Sequence, residues 1–125
     1  MYSFENSELW FVTGSQGLYG DEALEQVARN VETIVAGLSA EAGLPIRLVR
    51  QPVMTGADAI TELCNQANAS ECCVGLVCWM HTFSPAKMWI AGLNVLRKPV
   101  VHLHTQFYRD IPWSTIDMDY MNLHQ

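Results

Sequence analysis

The sequence is poor in charge. Only 16% of its 125 residues are charged, and Lys and Arg together number seven. Those seven are spread thinly, so no basic stripe exists to track a phosphate backbone, which excludes nucleic acid as a partner. Long hydrophobic runs are also missing. No apolar stretch approaches the roughly 20 residues of a membrane span, so no membrane association is expected. The opening residues Met1-Tyr2-Ser3-Phe4-Glu5-Asn6 lack the basic and apolar regions of a secretion signal. Cys64, Cys72, Cys73 and Cys78 show neither the spacing of a CxxC zinc site nor that of a disulfide scaffold. The expectation is a cytoplasmic chain with free thiols. Catalytic signatures are lacking as well. There is no GxSxG elbow, no Walker loop, no GxGxxG, and no acid pair on a helix face directed at the loops.

What the chain has is hydrophobic residues, at 50% of the total, in a pattern that alternates between two periods. Its length suits one domain with a real core. Leu9-Trp10-Phe11-Val12-Thr13 is a short apolar run ending at Gly14 and reads as a buried strand. From Asp21 to about Ala42, Leu24, Val27, Ala28, Val31, Val35 and Leu38 recur at helical spacing. Asp21 and Glu22 suit the start of that helix, and Gly43 its end. Pro45 to Arg50 is a second strand whose weaker hydrophobicity predicts an edge or one covered face. Ala57 to Ala69 is a second helix. Cys73 to Trp79 is the most apolar strand and is expected in the centre. Ser84-Pro85 is predicted to open a third helix with Ser84 as N-cap. Lys98-Pro99 ends it, and Val100 to His104 forms a fourth strand.

Alternating strands and helices imply an α/β fold with a parallel sheet covered on both faces. The predicted architecture is a Rossmann-like or flavodoxin-like three-layer sandwich with about four strands. Two segments depart from it. Met88 to Leu96, in the third helix, is apolar nearly all round, so it needs cover from a partner subunit, a missing domain or the tail. Phe107 to Gln125 has no period and reads as a loop-like tail that packs onto something.

Open parallel sheets bind ligands beyond the carboxyl ends of their strands. That selects the loops around Gln16, Gln51, His81 and Gln106. Gly14, Gly17 and Gly20 precede a helix and could cradle a phosphate. Asp21 and Glu22 oppose an anion there, and the glycines also suit a simple tight turn. Gln16 and Tyr19 offer neutral donors and acceptors, which match hydroxyl groups. His102 and His104 share one face of a strand. They could begin a metal site, with Asp117 and Asp119 as the nearest acid pair, or they could be structural. His81 and His104, at strand ends, suit polar substrate contacts, acid–base work or a structural role. A binding surface is legible, but no catalytic set is.

The same loops carry a family pattern. Trp10 to Gly20 (WFVTGSQGLYG), Trp79 to Ile90 (WMHTFSPAKMWI), His104 to Phe107 and Ile116 to Leu123 resemble, in order, the start of the bacterial L-arabinose isomerases. Gly17 departs from that pattern, where a larger residue is common. The resemblance implies a metal-dependent aldose–ketose isomerase interconverting L-arabinose and L-ribulose, often also D-galactose and D-tagatose. It implies Mn²⁺, but its Glu and His ligands belong to later parts of a longer chain, so no catalytic or metal-binding residue is expected here. It implies that residues 1–125 are an N-terminal α/β domain, a fragment or truncated form without the catalytic domains, and inactive alone. Gln16, Leu18 and Tyr19 fall in the first loop that such a domain lends to the sugar pocket. Phe83 and Gln125 match positions that reach a neighbouring subunit of a homo-oligomer, a hexamer at full length. The residues leave two other readings open: a stand-alone sugar-binding or oligomerisation module, and a flavodoxin-like domain for a phosphorylated cofactor.

Overall fold

The structure is a computed structural model and describes residues 3–125. Its core is built by two strands whose residues are apolar on both faces. Strand β1 (Glu8–Thr13) and strand β3 (Cys73–Trp79) pair in parallel, with Phe11 opposite Val77 and Val12 opposite Cys78. Strand β2 (Arg47–Arg50) adds outside β1, and strand β4 (Val100–Leu103) adds outside β3. The sheet order is β2-β1-β3-β4, all parallel. The expected edge position of β2 and interior position of β3 are both observed.

Helix α1 (Asp21–Glu41) covers one face. Its Val27 and Val31 pack with Phe11 and Trp79. Gly43, just past its end, adopts φ +59°, a left-handed turn that suits glycine. Helices α2 (Ala57–Ala69) and α3 (Lys87–Val95) cover the other face. There Val12, Leu76 and Cys78 meet Ile60, Leu63, Cys64 and Trp89. Three layers result, as the alternating pattern requires. All four cysteines are free thiols.

Two expectations need correction. Helix α3 starts at Lys87, with Ala86 and not Ser84 as its N-cap. The Ser84 hydroxyl instead accepts a hydrogen bond from the Trp89 indole at 3.1 Å. The tail is also not wholly loop-like: helix α4 (Met118–Leu123) forms where the Asp117 carboxylate accepts from the Tyr120 N–H at 2.8 Å. The tail packs Phe107 onto the α1 side of the sheet, with Trp79. It leaves α3 uncovered, and Ile90 remains 58% exposed.

Helices α2 and α3 touch at Gly92, where a Cβ would lie 2.9 Å from Ile60 Cγ2 and 3.2 Å from Cys64 Sγ. Gly37, inside α1, has nothing within 4 Å of its Cβ position. The two glycines therefore respond oppositely to alanine. Gly92→Ala is expected to lower unfolding free energy by about 1–3 kcal/mol through overpacking. Gly37→Ala is expected to raise it by roughly 0.5–1 kcal/mol through helix propensity. Urea denaturation of both variants checks this, and equal signs would refute the packing account.

Candidate functional site

The chain leaves β1 toward β2 on one side and returns to β3 on the other. The loops after β1 and β3 thus rise side by side at the carboxyl end of the sheet, the place where open α/β sheets form a crevice. Buried polar contacts tie these loops together. Ser15 Oγ and Thr82 Oγ1 lie 2.6 Å apart, and both residues are inaccessible to solvent. The Ser15 N–H donates to the Met54 carbonyl at 2.9 Å, which fastens the loop after β2 to the same end. Gly14 permits this crowding, because a Cβ there would meet Ser84 Oγ and Trp89 Cζ2 at 2.6 Å.

Above that base sits a second set of contacts. The Gln16 amide donates to Tyr19 Oη and to the Phe83 carbonyl, each at 3.1 Å. Tyr19 Oη makes a longer contact of 3.5 Å to the same carbonyl. Residues Gly17–Tyr19 form one turn of 3₁₀ helix, which turns Tyr19 back toward Gln16. On the other side of the loop, the Phe83 N–H donates to the Asn122 carbonyl at 2.8 Å. The Gln125 N–H donates to the His81 carbonyl at 2.7 Å. Residues 81–83 are therefore held from both flanks, by the first loop and by the tail.

The loop borders a cleft of about 200 Å³ lined by Thr82, Phe83, Ser84, His102, His104 and Gln125, together with Met80 and Leu103. Of the residues singled out in the sequence, Gln16, Tyr19 and Phe83 meet directly, and Phe83 and Gln125 share the cleft. Leu18 stands 75% exposed beside them on the 3₁₀ turn. Gly17 has open space around its Cβ position, so the larger residue common in the resembling family needs no rearrangement there. The His102 and His104 rings stack with centroids 6.0 Å apart. Among the described residues, no group of three His, Cys, Asp or Glu side chains comes together, and Asp117 serves as a helix cap.

His81 is buried, at 2% exposure, and belongs to a polar network the sequence does not reveal. Its ring stacks on Trp79 at 4.7 Å. Its Nε2 lies 2.8 Å from the Asn30 amide nitrogen on α1. Asn30 Oδ1 accepts from Gln26 at 2.8 Å, so its nitrogen donates and His81 Nε2 accepts. Tyr108 Oη lies 3.4 Å from the same Asn30 nitrogen, and His124 meets the His81 ring edge-on at 6.1 Å. Burial, aided by His124, pushes the His81 pKa down from 6.5 to about 4. Three partners that lie far apart in the chain make this network. The only sequence signal for it is a polar Asn30 beside Val31 on an otherwise apolar helix stripe.

Comparison with known proteins decides the family. Residues 3–125 match the family described as the L-arabinose isomerase N-terminal domain. The chain belongs to that family. It is 59% identical over 125 residues to the L-arabinose isomerase of Koribacter versatilis (strain Ellin345), covering all of this chain and 25% of the relative. The same figures hold for the L-arabinose isomerase of Geobacillus thermodenitrificans (strain NG80-2). That of Yersinia pseudotuberculosis serotype O:3 (strain YPIII) is 55% identical over 122 residues, 98% of this chain and 24% of the relative. The chain thus spans about a quarter of the length of the curated relatives it matches. The resemblance read from the loop motifs is borne out.

For this family domain, His81 links stability to pH. The folded state keeps His81 neutral down to about pH 4, whereas an unfolded histidine takes its proton near 6.5. The unfolded state binds more protons between those values. Stability is therefore full above pH 6.5 and falls as pH drops toward 4, by up to roughly 3 kcal/mol. Urea midpoints measured from pH 7 to pH 4 should show that slope. His81→Gln, which keeps an acceptor for Asn30, should flatten it while lowering stability at pH 7. An unchanged slope in the variant would sink the assignment.

Proposed function

We propose that this chain is the N-terminal part of an L-arabinose isomerase, a cytoplasmic enzyme that converts L-arabinose to L-ribulose, with D-galactose to D-tagatose as a related reaction. The observation that carries the reading is the junction of Gln16, Tyr19 and Phe83 at the crevice between β1 and β3, within a domain of this family. A sugar is neutral and rich in hydroxyls, so its site needs neutral donors and acceptors beside apolar walls. With its amide nitrogen occupied by Tyr19 and Phe83, Gln16 offers Oε1 as an acceptor for a sugar hydroxyl. Leu18 and Phe83 present apolar surface that walls the pocket and excludes water. Gln125 adds an amide at the cleft.

The chemical step is assigned to the rest of the enzyme. Moving a proton between C1 and C2 of a sugar needs a base and an electrophile for the enediol-like intermediate. The described residues assemble no group of three metal-ligating side chains, so this chain by itself does not fit a Mn²⁺ centre. His81 is engaged with Asn30 and sealed from solvent, which suits support rather than proton transfer. In this reading residues 1–125 form one domain that supplies pocket walls. Phe83, at 46% exposure, and Gln125 reach the site of a neighbouring subunit in a homo-oligomer, a hexamer at full length.

Three measurements test the proposal. The purified 125-residue chain with L-arabinose and Mn²⁺ should show no turnover, and calorimetry should show no measurable sugar binding. Turnover or saturable binding by the chain alone would overturn it, and binding without turnover would favour a self-contained sugar-binding module. In an intact isomerase carrying this domain, Gln16→Leu should raise KM for L-arabinose about two- to tenfold, the cost of one hydrogen bond. An unchanged KM would remove Gln16 from the sugar contacts.

A further inference from the structure

Helix α1 carries a chain of hydrogen bonds that runs inward from its surface. Arg29, its side chain 58% exposed, donates from Nη2 to Gln26 Oε1 at 2.9 Å. Gln26, also exposed, donates from Nε2 to Asn30 Oδ1 at 2.8 Å. The buried Asn30 presents its amide nitrogen to His81 Nε2, likewise at 2.8 Å. The outer end fixes the direction of the whole chain. A guanidinium has N–H donors and no acceptor, so Gln26 turns its oxygen to Arg29 and its nitrogen to Asn30. Asn30 then turns its nitrogen to His81. A neutral imidazole that accepts at Nε2 carries its proton at Nδ1. Among the described residues, that buried Nδ1 makes no full hydrogen bond. Burial and His124 disfavour a charge on the ring, whereas the backbone of His81 itself favours a proton there. The acceptor in that backbone is the carbonyl, and the same carbonyl takes the Gln125 N–H at 2.7 Å.

We propose that Arg29 and Gln26, which lie outside the sugar site, are positioning residues for it: through Asn30 they keep the His81 proton on Nδ1, on the side of the carbonyl that holds Gln125. The opposite tautomer turns a bare lone pair toward the lone pairs of that carbonyl, and the two repel. The ring or the carbonyl then moves, and Gln125 moves with it. The same short segment bonds Gln16 and carries Phe83, so Gln16, Phe83 and Gln125 all depend on where one proton sits. The link to the sugar rests on the reading proposed above, and the tautomer does not.

Substitutions at the exposed Gln26 test the relay without disturbing the core. Gln26→Glu puts a carboxylate there, which only accepts. It takes hydrogen bonds from Arg29 and from the Asn30 nitrogen, so Asn30 turns its oxygen to His81, and Nε2 takes the proton. Gln26→Lys keeps a donor toward Asn30 Oδ1 and keeps the direction. Ring-nitrogen NMR of His81 in the 125-residue chain at pH 7, where the ring is neutral, reads the tautomer. The proton should sit on Nδ1 in the unaltered chain and in Gln26→Lys, and on Nε2 in Gln26→Glu. In an intact isomerase carrying this domain, Gln26→Glu should raise KM for L-arabinose about two- to fivefold with kcat within about twofold. Gln26→Lys should leave both unchanged. A merely structural role for Gln26 would move neither the tautomer nor KM. A proton on Nε2 in the unaltered chain overturns the proposal, and so does one that stays on Nδ1 in Gln26→Glu. A moved tautomer with an unmoved KM overturns the positioning role. Gln16→Leu, measured alongside, tells two failures apart. KM raised by Gln16→Leu and not by Gln26→Glu removes the relay alone, whereas KM raised by neither removes the sugar reading and the relay together. The kinetic comparison decides by itself if the ring signals stay unassigned.

Discussion

The parallel pairing of β1 with β3 is the constraint from which the rest follows. These strands are neighbours in the sheet although α1, β2 and α2 separate them in the chain. Both faces of the pair are apolar, so helices must cover both, and three layers result. Because the strands run the same way, their exit loops emerge at one end. The Ser15–Thr82 contact then joins the loops inside the protein, where an unpaired hydroxyl would cost about 1–3 kcal/mol. The crevice is thus a consequence of strand order, and its base is tied together by buried hydrogen bonds.

The 81–83 segment shows how a short loop becomes a fixed platform. Its backbone gives one carbonyl to Gln16 and Tyr19, one to the Gln125 N–H, and one N–H to the Asn122 carbonyl. Its first side chain, His81, is anchored to Asn30 of α1 and stacked on Trp79. A buried asparagine on a helix is costly unless paired, and Asn30 is paired with Gln26, His81 and Tyr108. The network therefore locks helix, strand end and tail into one geometry. Phe83 inherits its position from that geometry, although its own ring remains substantially exposed.

Much of the fold was legible because periodicity is a local signal. Helix Ala57–Ala69 and strand Cys73–Trp79 have the bounds their patterns predict. The failures come from side chains spent on long-range or unusual partners. Ser84 looks like a helix cap in sequence, but the Trp89 indole takes its hydroxyl, and the helix begins three residues later at Lys87. Helix α4 is only six residues long, too short to display a period, and Asp117 is its sole cue. Gln16 and Phe83 were found through motifs, and the structure brings them into contact across 67 positions of the chain. The pairing of Asn30 with His81, 51 positions apart, leaves no comparable trace, because nothing local to either residue specifies the other.

The exposed apolar residues are unevenly placed on the surface. Among the described residues, nine of the thirteen large ones form two groups, and Phe4, Leu44, Tyr108 and Trp113 stand apart from both. One group, Leu18, Phe83, Met118 and Met121, lies on the first loop, the 81–83 platform and the helix bonded to it. The other, Ile90, Leu93, Val95, Val100 and Val101, flanks the β4 edge. The first group surrounds amides and hydroxyls at strand ends, the mixture that the proposed sugar site needs. The second borders a groove between α3 and β4 whose lining includes no Lys, Arg, Asp or Glu. The two groups thus occupy different parts of the domain, one at the strand ends and one along the β4 edge. His102 of β4 lines both the apolar groove between α3 and β4 and the cleft beside Phe83 and Gln125, so the two surfaces meet at one residue.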